Sequence, residues 1–211
     1  GNRFLLKELS NKEAGILLPI NIGTIGISFS QFGYEHYNEN LFGLGLSRSF
    51  GQNLRIGLKL YYMSIRFSEE YENRSVPTFD LGIQYQINKS LCLGAYIFNP
   101  INVRIGSLNK DKVPIIMRIG FAYHIVDEFM ICGEIEENFD DDFSFRFGLE
   151  YEVYKNVFVR SGFQLMPCIF TFGIGYDYKR FVVDVAAQMN QDLGVSMSCS
   201  MVFKMNGINR M

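Results

Sequence analysis

Tryptophan is absent from the 211 residues, and histidine nearly so, with only His36 and His124. Two histidines leave little from which to build a His-based metal centre, and neither a metal nor another cofactor is expected. Cysteine is scarce too. Cys92, Cys132, Cys168 and Cys199 lack metal-type spacing, and alternation sends Cys92 and Cys132 to one strand face and Cys199 to the other, which argues against a disulfide framework. No apolar run approaches the ~20 residues of a spanning helix, because Gly or a polar residue interrupts each one. A place in a membrane would therefore have to rest on strands. The start, Gly1-Asn2-Arg3-Phe4, lacks the basic, apolar and small-residue order of a signal peptide. Charge of one sign is also missing: 20 basic and 22 acidic residues give a net −2 and are dispersed, so no nucleic-acid partner is expected.

The composition that remains, 48% hydrophobic and 15% aromatic with 20 Gly, excludes a disordered chain and fits a single domain over 1–211. Period-two alternation dominates. In Phe143 to Val153, Phe143, Phe145, Phe147, Leu149, Tyr151 and Val153 alternate with Ser144, Arg146, Gly148, Glu150 and Glu152, as a two-faced strand requires. The pattern recurs in Leu54 to Tyr62, Phe79 to Ile87, Ile115 to Tyr123, Phe129 to Ile135, Val157 to Phe163, Phe170 to Tyr178, Phe181 to Ala187 and Leu193 to Phe203. No stretch of comparable length has a helical period.

Tight turn signals, such as Gly51-Gln52-Asn53, Asn88-Lys89-Ser90 and Tyr154-Lys155-Asn156, alternate with more polar links at Gly33 to Asn40, Ser68 to Val76, Pro100 to Pro114, Asn138 to Asp142, Leu165 to Cys168 and Asn190 to Asp192. Short turns at one end and longer loops at the other predict an antiparallel up-and-down transmembrane β-barrel with periplasmic turns and extracellular loops. The count is about 13 strands, with Arg3 to Leu9 as the upper part of one more, about 14 in all. The first segment then rises outward with little before it, so an N-terminal portion is expected to be missing.

A soluble or periplasmic β-barrel binding a hydrophobic ligand is the alternative, since it too alternates apolar and polar. Strands of about 9–12 residues favour a tilted membrane crossing over the usual ~5–6 of globular sheets. The polar face also carries Gly57, Gly82, Gly94, Gly120, Gly148, Gly162, Gly173, Gly175 and Gly194 beside charges. A water-facing soluble strand has little reason to keep glycine there.

That face also holds Arg55, Lys59, Asp80, His124, Glu136, Glu152 and Asp177, and with them the candidate site: Arg118, Glu134, Arg146, Glu150, Arg160 and Asp184. One reading is a selectivity ring along a substrate path. The other, favoured because mixed signs neutralise one another and make a poor single-ion filter, is a salt-bridge ladder that stiffens the lumen. Enzymatic chemistry finds no support: Ser47 and Ser161 lack a His partner, and Gly43-Leu44-Gly45 precedes no helix. The acidic run Glu136, Glu137, Asp140, Asp141 and Asp142 is expected to be a solvated exterior loop.

Several stretches resemble the outer-membrane barrel group that contains the long-chain fatty-acid transporters and the PorV and PorQ proteins of type IX secretion. They are Asn38-Glu39-Asn40 followed by Leu41-Phe-Gly-Leu-Gly-Leu-Ser-Arg-Ser-Phe50, Leu81-Gly-Ile-Gln-Tyr-Gln86, Leu93-Gly-Ala-Tyr-Ile-Phe-Asn-Pro100, Phe147-Gly-Leu-Glu-Tyr151, Phe172-Gly-Ile-Gly-Tyr176 and Leu193 to Phe203. The resemblance implies a barrel of about fourteen strands in the outer membrane of a Gram-negative bacterium. It also implies a non-enzymatic role, with the lipid bilayer as one partner. Either hydrophobic small molecules pass through it, or other outer-membrane or periplasmic proteins dock on it.

Overall fold

The computed structural model describes residues 1–205 except 3, 5, 35–36, 68–73, 106–110, 140–142 and 192. The strands are β1 Asn11–Ile20, β2 Gly23–Tyr34, β3 Tyr37–Phe50, β4 Leu54–Phe67, β5 Arg74–Gln86, β6 Leu91–Phe98, β7 Arg104–Ile105, β8 Asp111–Lys112, β9 Ile116–Val126, β10 Phe129–Asn138, β11 Ser144–Tyr154, β12 Val157–Leu165, β13 Ile169–Tyr178, β14 Phe181–Asn190 and β15 Gly194–Phe203. Thirteen of these form one antiparallel meander in chain order, while β7 and β8 pair apart from it as a small hairpin between β6 and β9.

The ends of the meander, β1 and β15, run in the same direction and are not paired with each other. Asn2 stands in the fourteenth place, exchanging both backbone hydrogen bonds with Met197 (2.9 and 3.1 Å) and bridging to Ser10. Gly1 does the same with Asn11, accepting from its N–H at 2.8 Å and donating from the ammonium to its carbonyl at 2.7 Å. The extra strand segment is thus Gly1–Asn2 rather than Arg3 to Leu9. Of the latter, residues 3 and 5 lie outside the described residues, and Lys7–Leu9 form a 3-10 turn, where Lys-Glu-Leu has no alternation to sustain a two-faced strand.

The strands run longer than side-chain alternation alone indicates. β4 continues to Phe67 and β5 begins at Arg74, because Met63, Ser64 and Ile65 still find ladder partners in Val76, Ser75 and Arg74. In the same way Tyr37 to Asn40 belong to β3, paired with β2 up to Tyr34↔Tyr37, so the link expected over Gly33 to Asn40 shrinks to residues 35–36. Backbone hydrogen bonding sets these ends, and polar side chains do not interrupt it. Two- to four-residue turns join β1–β2, β3–β4, β5–β6, β9–β10, β11–β12 and β13–β14 at one end, the turn end. At the opposite, loop end, residues 99–115 form the long connection between β6 and β9.

The two strand faces part as their chemistry dictates. Along β11, Phe145, Phe147, Leu149 and Tyr151 point outward and stay exposed, while Arg146, Gly148 and Glu150 point inward. Phe172 and Ile174 of β13 are 62% and 61% exposed, far too open for a water-soluble core and suited to a hydrocarbon solvent. The architecture is an up-and-down transmembrane β-barrel.

Candidate functional site in the lumen

The glycine-and-charge face borders a space of about 930 Å³, lined by residues from β3 to β6 and from β9 to β14. Wall residues on opposite sides, among them Arg55, Gly82, Cys92, Arg146, Gly173 and Asp184, share this one space, so the polar face is the inside of the barrel. Glycine here has a steric purpose. A Cβ on Gly175 would lie 2.5 Å from Asp184 Oδ1 and 2.7 Å from Arg160 Nη1, and one on Gly43 would strike the Lys59 stem and Ser28. The small residues give long charged side chains room to lie flat against the wall.

All six expected site residues face this lumen, and they fall into two groups. Nearer the loop end, Arg146 Nη1 donates to Glu134 Oε1 at 2.7 Å and to Glu136 Oε2 at 2.8 Å, and its Nη2 donates to Glu136 Oε1 at 2.7 Å. Its Nε donates to Gln164 at 3.1 Å. Arg118 also donates to Glu136, with Glu134 3.8 Å away. The guanidinium of Arg118 sits 5.5 Å from the Tyr96 ring centre, within cation–π reach. The Tyr96 hydroxyl donates to Asp80 at 3.1 Å, and the Tyr61 hydroxyl donates to the same oxygen at 2.8 Å. A continuous polar belt therefore runs from β4 to β12.

Nearer the turn end, Arg160 Nε donates to Glu150 Oε2 at 2.5 Å, and Nη1 reaches across Gly175 of β13 to Asp184 on β14. Ser200 of β15 donates to the other Asp184 oxygen at 3.4 Å. Cross-strand register produces these contacts, since Glu134↔Arg146, Glu150↔Arg160 and Gly175↔Asp184 are directly opposed.

Glu136, which the sequence places on the inward polar face and also at the start of the exterior acidic run, belongs to the former: it lies in β10 with its side chain 14% exposed, clasped by two arginines. Its place two residues beyond Glu134 on the same face was a signal that it belonged to the ladder. Asp140 to Asp142 lie outside the described residues. Asp80 is inward as its place on the polar face predicts, though it stands outside the six candidate residues, and Tyr61 and Tyr96 went unassigned because a tyrosine on an alternating strand is not distinguished by sequence from a membrane-facing one. Cys92 and Cys132 share the lumen face as expected, while Cys199 lies on the outward face and is exposed. Among the described residues, no group of three or more His, Cys, Asp and Glu side chains is arranged to hold a metal ion.

Fold and lumen together define the class: an outer-membrane-type transmembrane β-barrel with a polar, ion-paired interior. The Ralstonia pickettii toluene transporter TbuX is similar, with a TM-score of 0.67 at 9% identity, over 92% of this chain and 81% of that one. So are the P. putida toluene transporter TodX (0.66, 11%, 90% and 79%) and a Pseudomonas aeruginosa FadL homologue (0.63, 11%, 90% and 74%). At such identities the likeness is one of fold. No protein-family model and no curated protein matches the chain. The PorV and PorQ resemblance continues to rest on the short sequence stretches alone.

Proposed function

We propose that this protein is a non-enzymatic conduit of the bacterial outer membrane through which small hydrophobic molecules pass, with turns periplasmic and loops extracellular. The observation that carries the reading is the ion-paired lumen. Of its cationic residues, Arg118, Arg146 and Arg160 are each held by carboxylates, so the wall presents little net charge to attract a free ion. Between the ion pairs, Gly94, Gly120, Gly148, Gly162, Ala122 and Ala186 leave uncharged wall against which an apolar solute loses water at little cost. The fold shared with two toluene transporters and a FadL homologue supports the same direction. The charge ladder is, in this reading, structural: it ties β9 through β14 together from the inside.

The test is uptake of a neutral monoaromatic probe by vesicles reconstituted with the purified protein. Uptake should exceed that of protein-free vesicles by more than it does for a charged sugar of similar size. Equal rates for both solutes would make the barrel a general porin, and no rate above background for either would exclude a conduit.

A further inference from the structure

A gap runs down the barrel wall between β15 and β1. The two strands have the same direction and do not pair, so a strand that fits between them is antiparallel to both. Gly1–Asn2 is the loop-end tip of such a strand, with Asn2 exchanging both hydrogen bonds with Met197 and Gly1 doing so with Asn11. Below that tip the edges lie bare. Every second residue of an antiparallel strand addresses the same neighbour. Glu13, Gly15 and Leu17 of β1 and Cys199, Met201 and Phe203 of β15 therefore turn their N–H and C=O groups into the gap, where they meet no backbone partner among the described residues.

Burial follows the same outline. Beside Gly1 and Asn2 the inward-facing Asn11 and Ser196 are half-buried, but further down Gly15, Leu17, Ser200 and Val202 are exposed, Leu17 to 72%, although they too face inward. On strands with two neighbours, inward residues such as Gly57, Gly120, Gly148 and Ala186 are half-buried. Hydrocarbon offers no hydrogen bonds to an open sheet edge, so a wall that spans a membrane has to be closed. Thirteen strands also make an odd count, where single-chain bacterial barrels have an even one.

We propose that the residues immediately upstream of Gly1 continue it toward the turn end as a fourteenth strand, zipped between β1 and β15. The pairs already made fix the register. With Asn2 opposite Met197 and Gly1 opposite Asn11, the first upstream residue stands between Cys199 and Lys12, the second between Ser200 and Glu13, and the fifth between Phe203 and Ile16. The first, third and fifth upstream side chains point outward, level with Cys199, Met201 and Phe203, and the third and fifth suit apolar residues. The second and fourth point into the lumen beside Glu13, Gly15 and Ser200, where small or polar residues fit. The proposal rests on the barrel spanning a membrane and not on what passes through it.

Disulfide cross-linking in the full chain tests the strand and its register without any solute. Cys92, Cys132 and Cys168 are replaced by Ser, so that native Cys199 is the reporter. A cysteine at the first upstream position forms a hydrogen-bonded pair with Cys199, and the ~5.5 Å Cα separation of such a pair suits a disulfide. Under mild oxidation it should link roughly tenfold faster, or more, than a cysteine at the second position, which should link instead to Ser200→Cys in a Cys199→Ser background. Equal rates from both positions, or no link from either in barrels that retain heat-modifiable migration, would overturn the strand. Should the substituted barrels not fold, hydrogen exchange of the unsubstituted protein decides. The amides of Glu13, Gly15, Leu17, Cys199 and Met201 should exchange within about tenfold of those in β13, and rates about a thousandfold faster, as on an open edge, would overturn the proposal. Protected edge amides in folded barrels without the cross-link would mean a strand donated by another protein, and would overturn it as well.

Discussion

Arg146 offers the sharpest test of a structural charge ladder, because it serves Glu134, Glu136 and Gln164 at once. Unit charges about 4 Å apart interact by about 1 kcal/mol in water and about 4 kcal/mol at an effective dielectric near 20. The lumen lies between these limits: Arg146 and Glu134 are about a third exposed, whereas Glu136 is 14% exposed. Arg146→Met removes both attractions and leaves Glu136 to Arg118 alone. After discounting for hydration of the freed carboxylates, the loss should be about 2–3 kcal/mol. Arg146→Glu turns attraction into repulsion from two carboxylates and should cost roughly twice as much. Arg146→Lys keeps the charge but loses the two-armed grip, for about 1 kcal/mol. Denaturant unfolding in lipid vesicles, followed by tyrosine fluorescence and by the heat-modifiable gel shift, reads the series. The expected order of stability is parent, Lys, Met, Glu. If all three variants stay within about 0.5 kcal/mol of the parent while Arg146→Glu alters ion selectivity, the ladder is a filter and the structural reading fails.

Three further outcomes follow from the same geometry. Raising salt to about 1 M, where the Debye length is ~3 Å, should shrink the Arg146→Met loss in the same unfolding assay, because the pairs are partly wet. Gly175→Val should push Arg160 away from Asp184 and lower stability by about 1–2 kcal/mol, and Gly175→Val together with Asp184→Ala should lose less than the sum of the two changes, as a double-mutant cycle would reveal. Ile174→Arg, on the outward face at mid-strand, should cost about 2–4 kcal/mol in a bilayer, as measured by refolding into vesicles. A neutral effect at Ile174 would place that face in water.

The sequence by itself determined the two-faced strands, their antiparallel succession and the identity of the inner face. Alternation is a local property, and a glycine-and-charge row opposite an aromatic row has one stable arrangement around a wide, closed sheet. Turn chemistry was equally legible where two or three residues sufficed, as at Lys155-Asn156. Strand ends were not, because Tyr37 to Asn40 and Arg74 to Val76 remain in the sheet through backbone bonds to the adjoining strand of their hairpin, which side-chain pattern does not encode. The ladder was legible as a set of inward charges, but its pairing depended on register. Only the three-dimensional ladder sets Glu134 opposite Arg146 and carries Arg160 past Gly175 to Asp184. The closing of the ring through Gly1 and Asn2, the clasping of Glu136 by two arginines and the burial of Asn99 against Thr78, Val103 and Val113 were likewise decided by tertiary structure. Each depends on which distant atoms a short polar segment meets once the barrel has formed.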